Sequence, residues 1–189
     1  MAGARDSAAR RSAADAPRPA PGRARAGAPD EPPSPEHRAL SALEASGVAF
    51  TITRHGPVSS LAEAAAARGL EPGRLLKTLV VRRGEDDFVL VLVPGDRQLS
   101  WPRLRRALGV SRLSLPDKEV ARAVTGYERG TITPFGSLRP WPVVADSRVA
   151  GAGHVSVGAG AHGVAATLDA DALITALGAR VEDVTNPGE

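Results

Sequence analysis

Apolar and polar positions along the chain fall into short stretches of helical and of strand-like spacing. Leu40 and Leu43 recur at helical spacing ahead of Gly47, which predicts a first helix that stops there. Residues 48–53 read as a strand, and Ser59 or Ser60 is placed to cap an alanine-rich helix that reaches Arg68 and ends at Gly69. The strongest local pattern is a pair of apolar runs, residues 75–83 and 88–93, parted by Gly84-Glu85-Asp86-Asp87, which predicts a β-hairpin. Helices are expected at 101–108 and at 117–124, the second capped by Asp117, with a short strand at 112–115 between them. Strands at 143–146, 154–157 and 164–168, a helix at 169–177 and a last strand at 180–184 complete the series. Hairpin-linked strands interrupted by short helices predict an α/β (α+β) fold. Its sheet would be mixed, mostly antiparallel, and curled or closed into a barrel rather than doubly wound and parallel.

The first 35 residues break this pattern. They hold seven of the prolines, many Ala and Arg, and no Val, Leu, Ile or Phe, so they cannot bury enough apolar surface to offset the entropy of ordering. The expectation is a disordered tail over residues 1–35 and one folded domain over 36–185, for which an apolar share of 42% is sufficient. No cysteine is present, which excludes disulfides, thiolate metal sites and a cysteine nucleophile. No apolar run has the length of a membrane span or the character of a signal sequence, so a cytoplasmic location is expected. Charge adds one further clue. Lys77 and Lys118 are the only lysines in an arginine-rich chain of net charge +3, so a lysine marks a place where an ammonium differs in use from a guanidinium.

Two motifs point to chemistry that their surroundings do not support. Gly158-Ala159-Gly160-Ala161-His162-Gly163 fits a dinucleotide-binding fingerprint, but strand-like residues follow where a helix is required. His154-Val155-Ser156-Val157-Gly158 falls one glycine short of a nucleophile elbow. The four histidines, His37, His55, His154 and His162, never pair at metal-ligand spacing, and neither a metal nor a cofactor is expected.

Three stretches together resemble the YbaK-like aminoacyl-tRNA deacylases, a family that includes the editing domain of bacterial prolyl-tRNA synthetases. They are Leu76-Lys77-Thr78-Leu79-Val80-Val81, then Thr125-Gly126-Tyr127 with the G-x-x-x-P loop from Gly130 to Pro134, then Val155-Ser156-Val157-Gly158 through Leu168-Asp169. Pro142-Val143-Val144-Ala145-Asp146 supplies the strand expected between the second and third.

That resemblance implies hydrolysis of the ester joining a wrongly attached amino acid to tRNA. It makes Lys77, Gly130 and Asp146 the candidate catalytic residues: Lys77 to hold the ester carbonyl or the terminal nucleotide, Gly130 to offer backbone N–H groups to developing negative charge, and Asp146 to orient water or the substrate amine. His55, Thr131, Ile132, Thr133, Pro134 and Gly158 are the candidate substrate-binding residues. Arg103, Arg105 and Arg106 head an arginine cluster, with Arg97 and Arg112, that is a candidate for tRNA phosphate binding. The partners implied are the aminoacyl-tRNA acceptor end and, as a second candidate, an aminoacyl-tRNA synthetase, with neither membrane nor DNA. Thr131 stands where relatives often carry a second glycine, and Ala161-His162 where the turn is often more basic. A non-catalytic tRNA- or synthetase-binding module of the same fold is therefore the alternative, and a small-ester hydrolase that never meets RNA a weaker third.

Overall fold

The computed structural model describes residues 32–188, so that residues 1–31, most of the expected tail, lie outside the described residues. Ser34 opens the first helix, α1 (Pro35–Ala45), by accepting the His37 N–H at 3.2 Å, which sets its start at Pro35. β1 (Phe50–Arg54) follows. The helix α2 (Leu61–Arg68) starts with a reciprocal cap: Ser60 Oγ accepts the Glu63 N–H, while the Glu63 carboxylate accepts the Ser59 N–H at 2.7 Å. A 3-10 turn at Pro72–Arg74 leads into the hairpin of β2 (Leu76–Gly84) and β3 (Asp87–Pro94).

Beyond β4 (Arg97–Leu99) come α3 (Trp101–Leu108) and α4 (Lys118–Thr125), the latter capped by Asp117 Oδ1 on the Val120 N–H at 2.8 Å. β5 (Val143–Asp146), β6 (His154–Gly158), β7 (Val164–Asp169), α5 (Ala170–Leu177), β8 (Arg180–Glu182) and β9 (Thr185–Pro187) complete the order.

The strands form three sheets. One is antiparallel, β1-β7-β6; one is mixed, β2-β3-β5-β8, with β3, β5 and β8 parallel; β4 and β9 make a two-stranded ribbon. The mixed, mostly antiparallel architecture expected from the sequence is present, but the barrel is not: the first two sheets touch through a single parallel bridge, Leu75 to Ser156, and do not close. The strand expected at 112–115 reduces to one bridge between Arg82 and Ser114 in the short connection between α3 and α4. The strand expected at 180–184 ends at Glu182, and a separate three-residue strand follows it. β8 joins β5, and β9 turns away to pair β4, with Val184 buried at the break.

β3 is buried on both faces, and its alternate residues enter two cores. Phe88, Leu90 and Leu92 face the three-stranded sheet, α1, α4 and α5, in a core with Leu43, Leu168 and Leu173. Val89, Val91 and Val93 face α3, in a core with Leu104 and Val184. Such two-sided cover explains why β3 is continuously apolar rather than alternating. By contrast the apolar contacts of α2 are few: Ala64 and Ala65 pack against Leu75 in a small cluster of their own.

Candidate functional site

β2 is an edge strand of its sheet, and its free edge forms one wall of a cleft of about 470 Å³. The backbone of Arg82 exchanges both its N–H and its C=O with Ser114 rather than with β3. Since backbone groups alternate sides along an antiparallel ladder, those of Thr78 and Val80 also point away from β3, into the cleft. At one end the Leu75–Ser156 bridge joins β2 to β6; past it the two strands part, and the opening between them is the cleft. The facing wall holds Gly130 and Ile132 from the loop after α4, and Gly158 from the end of β6. Leu61, Ala64 and Arg68 of α2 close one side, and Leu115, Pro116 and Lys118 the other.

Lys77 lies on this rim. Its side chain is exposed, and its ammonium donates to the carbonyls of Gly95 at 3.0 Å and Arg97 at 2.6 Å. Partial removal from water lowers its pKa from the ordinary lysine value, with the nearby Asp96 charge opposing. An ammonium has three donors, and these two bonds leave one for another acceptor.

The loop opposite is built closely. Gly130 has a φ of 93°, a left-handed conformation that glycine adopts without strain. Thr131 is buried and closes its own turn, its N–H and its hydroxyl both donating to the Glu128 carbonyl, at 3.0 and 2.9 Å. A Cβ on Gly158 would lie 3.2 Å from the carbonyl oxygens of Thr131 and Ile132, so glycine there lets the loop rest on β6. Behind the loop, Tyr127 is fully buried and donates its hydroxyl to the Phe135 carbonyl at 2.7 Å, and burial raises its pKa to about 12. Arg38 of α1 stacks 5.2 Å from the Tyr127 ring centroid and donates to the Gly126 and Gly136 carbonyls, tying α1 to both ends of the loop.

Lys77, Gly130, Ile132 and Gly158 are thus brought to one cleft. Thr131 and Thr133 are buried beneath its wall rather than in it, and Pro134 is not among its lining residues. His55 stands just behind, half-buried, with Nδ1 on the Gly56 carbonyl at 2.8 Å and Nε2 facing the Arg68 guanidinium at 3.4 Å.

Asp146 is elsewhere: it is fully buried at the end of β5, its Oδ1 accepting the Arg148 N–H and its Oδ2 the Val184 N–H, both at 3.1 Å. A carboxylate so engaged fixes the turn after β5 and the start of the C-terminal ribbon.

The arginines of α3 do not reach the cleft either. Arg103 pairs with Asp183 at 2.6 Å and donates to the Thr185 carbonyl, clamping the chain end, while Arg105 is half-buried and Arg106 exposed. Nearby Arg97 is similarly engaged, with its Nε on Thr185 Oγ1 at 2.6 Å. The cations that do line the cleft are Lys77, Arg68, Lys118 and Arg129, of which sequence reasoning singled out only Lys77 for a role at the site. Thr78, also on the wall, has a buried hydroxyl without a partner. Among the described residues no Asp, Glu or His lines the cleft.

Comparison with known proteins gives concordant results. Residues 55–176 match the family model described as the aminoacyl-tRNA editing domain. EbsC of Enterococcus faecalis, provisionally named a Cys-tRNA(Pro)/Cys-tRNA(Cys) deacylase, is 27% identical over 131 residues, a span of 69% of this chain and 78% of that protein. A proline–tRNA ligase of Pelobacter propionicus is 30% identical over 110 residues, which cover 58% of this chain but only 19% of the ligase. A crystal structure provisionally described as a trans-editing enzyme for prolyl-tRNA synthetase superposes with a TM-score of 0.73 at 29% identity, covering 81% of this chain and 98% of that one. Among the described residues no helix is long and apolar enough to cross a membrane.

Proposed function

The chain belongs to the aminoacyl-tRNA editing domain family, and on that premise we propose that it is a trans-acting deacylase, hydrolysing the ester that links a wrong amino acid to tRNA. The observation that carries this reading is the cleft itself. Among the described residues it is walled by apolar side chains and open backbone edge, rimmed by four cations, and free of carboxylate and imidazole. A cationic rim suits the phosphates of an RNA end, and the apolar wall of Leu76, Leu79, Val80 and Ile132 suits a small uncharged amino-acid side chain.

The chemistry follows from what the cleft holds. Lys77 is fixed by two carbonyls and donates its remaining N–H to an oxygen of the ester or of the terminal ribose, where charge assistance strengthens the bond. The backbone at Gly130 faces the same space and stabilises negative charge as the carbonyl carbon becomes tetrahedral. With no Asp, Glu or His among the described residues of the wall to act as general base, the attacking water is activated by the substrate's own hydroxyl or amine, and the protein contributes position and field. The ester bond breaks, water supplies the oxygen of the released carboxylate, one proton of that water goes to the leaving ribose oxygen, which becomes the free hydroxyl of the tRNA, and the other passes to solvent. Association with prolyl-tRNA synthetase is the partnership that the names of the relatives suggest.

The test is a panel of mischarged tRNAs, including alanine and cysteine on proline tRNA, presented to the wild-type protein and to Lys77→Ala. One amino acid should be released, with a rate falling about 10²- to 10³-fold in the variant, the cost of removing one such donor. RNA binding without turnover on any tRNA would replace this reading by the binding module. Hydrolysis of simple esters without salt-sensitive RNA binding would replace it by the small-ester hydrolase.

A further inference from the structure

Arg68 is a cation without an anion. It leaves the last turn of α2 and lines the cleft, yet among the described residues no carboxylate lies within ion-pair distance of it. Its contacts are Nη1 to Ser156 Oγ at 3.3 Å and Nη2 to His55 Nε2 at 3.4 Å, both long for a guanidinium, and its buried Nε donates to nothing. A buried guanidinium N–H left unbonded is costly, and withdrawal from water lowers the pKa of Arg68 in keeping with that cost.

The surroundings are arranged to receive a negative group. The Nδ1–H of His55 donates to the Gly56 carbonyl, so Nε2 is the acceptor turned to Arg68. Ser156 is fully buried, and its hydroxyl accepts from Arg68, which leaves its proton to give. Ser156 is also the residue bridged to Leu75, two positions before Lys77, roughly 6.6 Å along β2. An anion at Arg68 would thus sit close to the ester-binding end of the cleft.

We propose that Arg68 and Ser156, oriented by His55, form a binding site for the phosphodiester on the 5′ side of the terminal nucleotide of the RNA. The proposal rests on the deacylase reading and deepens it. The terminal phosphodiester is the anion nearest to the ester in such a substrate, whereas the amino acid brings an amine. The planar fork of a guanidinium pairs with two phosphate oxygens at once, which a lysine at this position could not do. The contact also sets a ruler: with the phosphate held at Arg68, the ester of the same nucleotide is placed at Lys77 and Gly130.

The experiment uses the full chain and calorimetric titration with the trinucleotide CpCpA carrying a non-hydrolysable 3′-amide-linked amino acid. Two analogues accompany it, with an uncharged methylphosphonate at the last or at the preceding linkage. Wild type should bind the last-linkage analogue about tenfold more weakly than the parent and the other analogue nearly as well. Arg68→Met should bind the parent about tenfold more weakly and no longer distinguish it from the last-linkage analogue, with Arg68→Lys intermediate. Equal binding of all three ligands by wild type, or discrimination that survives in a folded Arg68→Met, overturns the site. Because the comparison of linkages is made on wild type, it stands even where the variant does not fold. Absence of discrimination in a wild-type protein that still deacylates tRNA removes this inference alone; absence of both binding and turnover removes the deacylase reading as well.

Discussion

Asp146→Asn separates two roles that the same residue could play. As a catalytic group it would be replaced at little cost to the fold; as the buried clasp seen here it would not. Its two oxygens accept backbone N–H groups from Arg148 and Val184, and the Arg148 guanidinium stands 3.7 Å away. Asparagine keeps one acceptor oxygen and turns an NH₂ toward the other donor, so one buried N–H loses its partner at about 1–3 kcal/mol, and the surviving bond loses its charge assistance. A total of about 2–3 kcal/mol is expected. At roughly 2–4 °C per kcal/mol for a chain of this size, Tm should fall by roughly 4–12 °C. The assay pairs thermal and urea unfolding with kcat/KM on the preferred mischarged tRNA at a temperature where both proteins are folded, and kcat/KM should be within a few-fold of wild type. An unchanged Tm together with a hundredfold loss of kcat/KM would refute the structural assignment and return Asp146 to the reaction.

Three further outcomes are expected. Gly158→Ala places a methyl group 3.2 Å from two carbonyl oxygens of the facing loop, and should lower kcat more than it raises KM by displacing Gly130, with a stability loss of about 1–3 kcal/mol read from urea unfolding. Tyr127 has its pKa raised to about 12 from 10.0, so above pH 10 the unfolded chain ionises first and binds fewer protons than the native one. Native stability should therefore fall between about pH 10 and about pH 12; urea midpoints at pH 9 and 11 should show a smaller drop for Tyr127→Phe than for wild type, and equal drops would contradict the assignment. Arg38→Ala removes the donors to Gly126 and Gly136, and should speed proteolysis within the 126–136 loop before it changes the protection of β3 in hydrogen exchange.

Most of the fold could be read along the chain because its elements announce their own ends. α3 has the limits that its pattern predicts, α4 is capped by Asp117 as predicted, α5 begins one residue after the predicted Asp169, and the β2–β3 hairpin follows from two apolar runs around a polar turn. What was missed depends on distant partners. β4 and β9 are three residues each, too short for a period, and exist because they pair with one another across the chain. The site divides in the same manner. Lys77 stood out as a lysine in an arginine-rich chain, and the glycines stood out in their motifs. Arg68 carried no such signal, since a basic residue in the last turn of a helix already has a sufficient explanation in the helix dipole. Only the meeting of α2 with β6 makes it unusual. In α3 the converse holds: a run of like charge looks free in sequence, whereas Arg103 is already matched by Asp183.

The bridge between Leu75 and Ser156 shows how little separates the two larger sheets from one continuous sheet. Beyond it the hydrogen-bonding positions of Thr78 and Val80 remain open, and substitutions that zipped β2 further onto β6 would gain rungs of ladder while erasing the space in which a substrate fits. Selection for rigidity and selection for turnover therefore pull in opposite directions along one strand edge. Variants of this chain evolved for heat resistance should accumulate their changes in the two cores and in the C-terminal ribbon, and leave the half-made seam as it is.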